Sequence, residues 1–191
     1  TDVKAMVLTH GHVDHKGSAE RLRLDHDVAI CCHNSEARLA RGEIKQQIST
    51  WELRRAWRPE IFRFAVNAIR HGGLQPEHVT EVSTFGDGET IDAPGNPIAV
   101  FTPGHTEGRC GIHLPDKGVL ITGDALITVD LWDPERRGPQ MIRRQFNYNH
   151  DQAVRSLDRF TDLEADVIVP GNGEPWRGHP REAVARAREN G

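Results

Sequence analysis

No stretch of the chain approaches the roughly 18 consecutive apolar residues that a membrane-spanning helix needs. The opening run TDVKAMVLTH lacks the basic start and apolar segment of a secretory signal. The expectation is a soluble, cytoplasmic protein with no membrane partner. Cysteine is scarce: of three, Cys31 and Cys32 are neighbours, a placement that rarely meets bridge geometry, and the odd count leaves no closed disulfide framework. Charge of one sign is not in excess either. Twenty-four Lys and Arg stand against 28 Asp and Glu, for a net −4, and no basic stripe interleaves with aromatics, so no nucleic-acid surface is expected. There is no Ser/Gly/Pro linker, internal repeat or low-complexity tract, and 191 residues are therefore read as one domain, 1–191. What is abundant is histidine: eleven residues, three of them crowded with Asp14 into positions 10–15.

The apolar run at residues 3–8 ends in Thr9-His10-Gly11 and predicts a strand that delivers a histidine loop at its C-terminal end. Residues 18–24, with Ser18 as N-cap and Ala19 and Leu22 at helical spacing, predict a short helix; residues 28–32 predict a second strand, completing a βαβ unit. From 35 to about 69 the pattern is helical with a break at Pro59, so a helical insertion is expected at about 35–78, either packed on the core or roofing the site. Further strands are predicted near Thr90 and at 98–102, 110–114, 119–122 and 167–169. The turn Pro115-Asp116-Lys117-Gly118 joins the 110–114 and 119–122 strands as a hairpin. Helices are predicted at 150–160 and, opened by Pro180, at 180–189.

His10-Gly11-His12-Val13-Asp14-His15 places four possible metal ligands in six residues. Imidazole and carboxylate suit borderline cations such as zinc, and the glycine lets the backbone turn sharply enough to aim them inward. A solvated polar turn is the bland alternative, and the ligand density argues against it. His105 follows a predicted strand in a loop pre-bent by Pro103 and Gly104; Asp124 follows another strand and Gly123. Both are presented as ligands at strand ends.

Three blocks resemble the metallo-β-lactamase superfamily: Thr9-His10-Gly11-His12-Val13-Asp14-His15 is similar to its HxHxDH signature, Thr102-Pro103-Gly104-His105-Thr106-Glu107-Gly108 to its TPGHTxG loop, and Ile121-Thr122-Gly123-Asp124 to its strand ending in GD. The resemblance implies an α+β fold, the αββα sandwich. It also implies a first metal site of His10, His12 and His105, and a second of Asp14 and His15 bridged by Asp124. The ions implied are one or two Zn2+, with Fe2+ or Mn2+ as alternatives. A hydroxide held between them would cleave an ester-like bond (thioester, lactone, amide or phosphodiester) of a small-molecule substrate, with Asp14 passing a proton to the leaving group. A mononuclear iron oxidoreductase of the persulfide dioxygenase kind is the competing function. Against it stands the run after Asp124, Ala125-Leu126-Ile127-Thr128-Val129-Asp130, which lacks a GCGR-like stretch.

Two departures from the pattern follow. Asn172, in Val169-Pro170-Gly171-Asn172-Gly173, stands where the family carries a last ligand histidine, so the second site is expected to be weakened and a non-catalytic metal-binding variant stays open. About seven strands are counted against the sandwich's dozen, and those that normally precede the signature are not in this sequence. An exposed sheet edge would then be covered by those strands or by a partner chain, as in a homodimer. Tyr148 and Trp176 are candidate substrate contacts, with packing roles as their alternatives, and Arg177 beside Trp176 shares that choice. Cys110 reads as a small buried apolar residue and His179 as a surface histidine. Substrate specificity is expected to lie in the loops and the 35–78 insertion, which carry no recognition code.

Overall fold

The computed structural model describes residues 3–45, 66, 77–130 and 133–190. The first sheet is parallel, with β1 (Ala5–Leu8) beside β2 (Ala29–His33) and β2 beside β3 (Ser83–Phe85). The second has the order β10-β9-β6-β5-β4, formed by Trp176–Arg177, Val167–Pro170, Val119–Gly123, Cys110–Leu114 and Ile98–Phe101. A separate hairpin pairs β7 (Ile127–Asp130) with β8 (Asp133–Gln140).

Side chains alternate across a strand, and that alternation stacks four layers. In β2, Ile30 and Cys32 point to a cluster with Leu8, Ala19, Ala37 and Ala40, which brings in α2 (Ala19–His26) and α3 (Ala37–Ala40). Cys31, between them, points the other way and meets Phe85, Ala99, Cys110 and Ile112, so the two sheets face each other across this cluster. On the far side of the second sheet, Val100, Leu120 and Ile168 pack against α4 (His150–Ser156), the turn after it and α5 (Pro180–Glu189). Helix, sheet, sheet, helix is the αββα order that the resemblance implies.

Local rules place most element ends. Asn149 caps α4 by accepting the Gln152 N–H at 3.0 Å, and Pro180 opens α5. Gly118, at φ 61°, closes the hairpin turn between β5 and β6. Ser18 differs from expectation: it precedes α2, but its side chain makes no capping bond, and the helix runs on to His26. The strand expected near Thr90 is only a single bridge from Thr90 to Ile98, and β3 lies earlier in the chain. Ten strands are present among the described residues, against about seven expected. β8 escapes a pattern search because DPERRGPQ carries two prolines, a glycine and four charges; among the described residues it pairs with one strand, β7, with an irregular register that tolerates them. Of the expected helical insertion, the turn Asn34–Glu36 and α3 are seen; 46–65 and 67–76 lie outside the described residues. Among the described residues no helix is long and apolar enough to cross a membrane.

Candidate metal centre

Four strands end at one place. β1 runs into Thr9-His10, β4 into Thr102 and the His105 loop, β6 into Gly123-Asp124, and β9 into Gly171-Asn172. The one-turn helix α1 (Val13–Lys16), which begins directly after His12, turns the chain back so that His15 faces His10, their rings 4.1 Å apart between centroids. The buried Lys16 anchors this turn by donating to the Ala40 carbonyl at 3.3 Å and contacting His78 Nδ1 at 2.7 Å.

Five of the six predicted ligands meet. His10, His12 and His105 form one triad and His10, His15 and Asp124 a second, the ligand atoms within each lying within 4.8 Å of one another. His12 Nδ1 and His105 Nε2 are 3.1 Å apart, while His10 Nε2 is buried with no protein partner. Asp124 Oδ2 stands between His105 Nε2 at 3.5 Å and His15 Nε2 at 3.4 Å, the position of a shared ligand. Asp14 is apart: its side chain is 60% exposed and its Oδ2 lies 3.6 Å from His15 Nε2, so it sits on the open rim rather than within either triad.

The electrostatics suit a cation. Burial lowers the pKa of His10 well below its ordinary value, helped by the neighbouring imidazoles; burial likewise takes His12 down to about 4 and His105 to about 3. These rings are neutral near pH 7 and keep their lone pairs. Burial works against ionised Asp124, yet the His15 hydrogen bond and the positive charge around it hold that carboxyl at about 2. His15 is also disfavoured as a cation by burial, but the Asp124 hydrogen bond and charge win and raise its pKa.

The first triad fits a metal ion. Nitrogens bound at about 2.0–2.1 Å around a tetrahedral ion stand roughly 3.3 Å apart, close to the His12–His105 separation, and the unpartnered His10 nitrogen supplies the third donor. The second triad is less complete. Asn172 reaches it, but as a donor: its Nδ2 lies 3.0 Å from Asp124 Oδ1. The Thr128 N–H donates to the Asn172 carbonyl at 2.9 Å and its hydroxyl to that of Glu174 at 2.7 Å, fixing this loop against β7.

The remaining candidates scatter. The Tyr148 N–H donates to the His105 carbonyl at 3.1 Å, and the ring is half exposed beside Glu107, whose hydrogen bond raises the phenol's pKa. Trp176 packs on the second sheet's outer core with the Arg186 guanidinium 5.7 Å over its ring; Arg177, next to it on β10, is exposed. His179 caps α5, its Nδ1 accepting the Arg181 N–H at 3.2 Å. Cys110 is fully buried, and burial pushes its thiol up to about 12. Two polar groups beneath the ligands escape sequence reading, Glu36 and Arg109. Glu36 closes an ordinary helix-start sequence and Arg109 follows a glycine, and neither neighbourhood signals that the side chain turns inward.

An αββα sandwich with a histidine and carboxylate cluster at its strand ends is a metal-site protein. The chain belongs to the metallo-β-lactamase superfamily, whose family model matches residues 1–172. It is 27% identical over 184 residues to the probable metallo-hydrolase YflN of Bacillus subtilis, covering 92% of this chain and 66% of that protein. To hydroxyacylglutathione hydrolase GloC of Haemophilus influenzae it is 29% identical over 126 residues, 65% of this chain and 50% of that protein. The chain thus spans about half to two thirds of the length of these curated relatives. In fold it is similar to a metallo-β-lactamase family protein of Thermus thermophilus (TM-score 0.66, 24% identity, 98% of this chain and 60% of that one). It is also similar to TTHA1623 in a di-iron-bound form (TM-score 0.62, 21% identity, 96% and 75%).

Proposed function

We propose that this chain carries the centre of a metal-dependent hydrolase that cleaves an ester-like bond in a small-molecule substrate. The observation that carries the reading is the convergence of three buried, neutral imidazoles, His10, His12 and His105, beside the ionised Asp124. His10, His12 and His105 would hold the principal ion, and a nitrogen-rich donor set favours Zn2+ over Fe2+ or Mn2+. When bound, such an ion supplies Lewis acidity and lowers the pKa of a coordinated water toward about 7. The protein's own contribution is a buried, pre-aimed set of donors, with Asp124 shared toward His15. Asp14, exposed and 3.6 Å from His15 Nε2, would take up a proton at its carboxylate and return it to a leaving group. Tyr148, whose backbone N–H donates to the His105 carbonyl, would contact the substrate from this loop once its phenol leaves Glu107. The thioester end of the substrate range draws support from the likeness to the Haemophilus hydroxyacylglutathione hydrolase.

Asn172 favours a second reading. With an amide in the last ligand position, one ion is held well and a second poorly, as a mononuclear iron oxidoreductase requires. The likeness to a di-iron-bound protein adds that this fold accepts iron. The test loads the protein separately with Zn2+, Mn2+ and Fe2+ and assays thioester, lactone, amide, phosphodiester and persulfide substrates beside His12→Ala. Hydrolysis by the zinc or manganese form, falling with metal content in His12→Ala, is the expected result. Oxygen uptake by the iron form alone would transfer the assignment to the oxidoreductase. Full metal content without turnover of any substrate would leave a binding module, and full retention of metal by His12→Ala would refute the ligand set.

A further inference from the structure

Glu36 ends the short turn Asn34–Glu36 that follows β2, and only 1% of its surface is exposed. Its Oε1 accepts the Gly11 N–H at 2.7 Å; its Oε2 accepts the Thr106 hydroxyl at 2.8 Å and the Gly108 N–H at 2.9 Å. Gly11 lies between His10 and His12, and Thr106 follows His105. Three donors from the two loops that carry three imidazoles therefore close on one carboxylate, which takes no part in the chemistry proposed above.

The approach of the chain to this carboxylate is built in. A Cβ on Gly108 would lie 2.3 Å from the Glu36 nitrogen, and one on Gly11 2.9 Å from the Ala40 nitrogen, so both loops come closer than any side chain permits. Burial raises the Glu36 carboxyl above its ordinary value, and the three hydrogen bonds and the charge of Arg109 offset only part of that. Arg109, itself fully buried, donates to the Thr102 hydroxyl at 3.1 Å and to the Thr122 carbonyl at 2.6 Å, joining the base of the His105 loop to the strand that ends in Asp124. A buried carboxylate is costly unless its bonds are satisfied, and here every bond it accepts runs to a ligand-bearing loop.

We propose that Glu36 is a positioning residue of the metal centre: its carboxylate locks the loop of His10 and His12 to the loop of His105 and thereby sets the spacing of the imidazoles that hold the first ion. The inference rests on the metal-centre reading given above. Polar partners behind first ligands commonly change metal affinity by about 10–100-fold when removed. Glu36→Gln keeps the shape but turns an NH2 toward at least one of the three donors, leaving a buried N–H or O–H unpaired.

The test uses Co2+ as the probe, read by its visible absorption spectrum and by competition with a chelator, with thermal melting of the metal-free proteins alongside. Glu36→Gln is expected to weaken Co2+ by about 10–100-fold and to alter the ligand-field bands at temperatures where the protein is folded. Thr106→Val, which removes one donor and keeps the shape, is expected to give a smaller change in the same direction, and it carries the test if Glu36→Gln does not fold. A purely structural role would lower the melting temperature and leave the spectrum and affinity as in the parent, which would overturn the proposal. Failure of the parent protein itself to bind Co2+ would overturn the metal-centre reading and this inference with it, whereas binding by the parent and equally by both variants would overturn this inference alone.

Discussion

Gly171 lies where the second triad has no room. A Cβ built on it would stand 2.1 Å from Asp124 Oδ1 and 2.9 Å from both the Gly123 carbonyl carbon and His15 Cε1. The backbone is not free to retreat, because the Gly171 N–H donates to the Gly123 carbonyl at 2.9 Å. In Gly171→Ala the Asp124 carboxylate must therefore yield. Non-bonded carbon and oxygen do not approach within roughly 3 Å, so the oxygen must move by about 0.9 Å, the difference from the 2.1 Å available. Oδ1 belongs to the same rigid carboxylate as Oδ2, the atom between His15 and His105, and metal–ligand distances tolerate about 0.2 Å, so a shift of that size turns or displaces the whole group and disturbs coordination through Oδ2. Overpacking of this kind costs about 1–3 kcal/mol of folding stability, and loss of a bridging donor should lower affinity for a second ion by at least about 10–100-fold. The assay is Zn2+ titration against a competing chelator, with elemental analysis of the dialysed protein and urea unfolding as the measure of stability. Parental stoichiometry and affinity in Gly171→Ala would refute both the placement of Asp124 as a shared ligand and the steric reasoning.

Restoring an imidazole through Asn172→His should raise second-ion occupancy and hydrolytic rate together; unchanged metal content by elemental analysis would count against the position assigned to Asn172. Glu20, paired with Arg23 at 2.9 and 3.0 Å and accepting both the N–H and the hydroxyl of Thr80, has its carboxyl lowered to about 2, with the Arg23 hydrogen bonds as the largest cause. A depressed acid stabilises the fold above its unfolded value of about 4.5 and loses that contribution as pH falls toward 2. Glu20→Gln should accordingly unfold about 1–2 kcal/mol more easily at pH 7, a figure discounted for solvent screening, and the gap from the parent should shrink between pH 4.5 and 2 in urea melts. A gap independent of pH would show that the ion pair is not its source. Phe160, fully buried in the outer core and pressed against Gly111, should cost about 3–5 kcal/mol on replacement by alanine in the same melts.

Much of the site was legible because local chemistry dictates it. Six ligand-type residues lie in three short blocks, each after a β-like run and beside a glycine, and a side chain just past a strand's end emerges at the sheet's rim whatever the rest of the chain does. The hairpin at Pro115–Lys117 and Gly118, the opening of α5 at Pro180 and the strand expected at 28–32 follow from turn, cap and strand signals within a few residues. Spacing alone, however, did not separate Asp14 from Asp124. Both are carboxylates beside histidines, but one faces the rim and the other is buried between His15 and His105, and that difference arises only when the two sheets stack.

Glu36 shows the limit most clearly. Read along the chain it is an acidic residue in an ordinary turn; its three hydrogen-bond donors come from residues 25, 70 and 72 positions away. β8 was hidden for a related reason, since its pairing with β7 overrides a composition that argues against a strand. By itself the sequence determined the candidate ligand residues, the strand ends that present them, and the family. Which nitrogen of each imidazole faces inward, which carboxylate is shared and which buried groups brace the loops were decided by packing, because those properties depend on contacts between segments that no local rule connects.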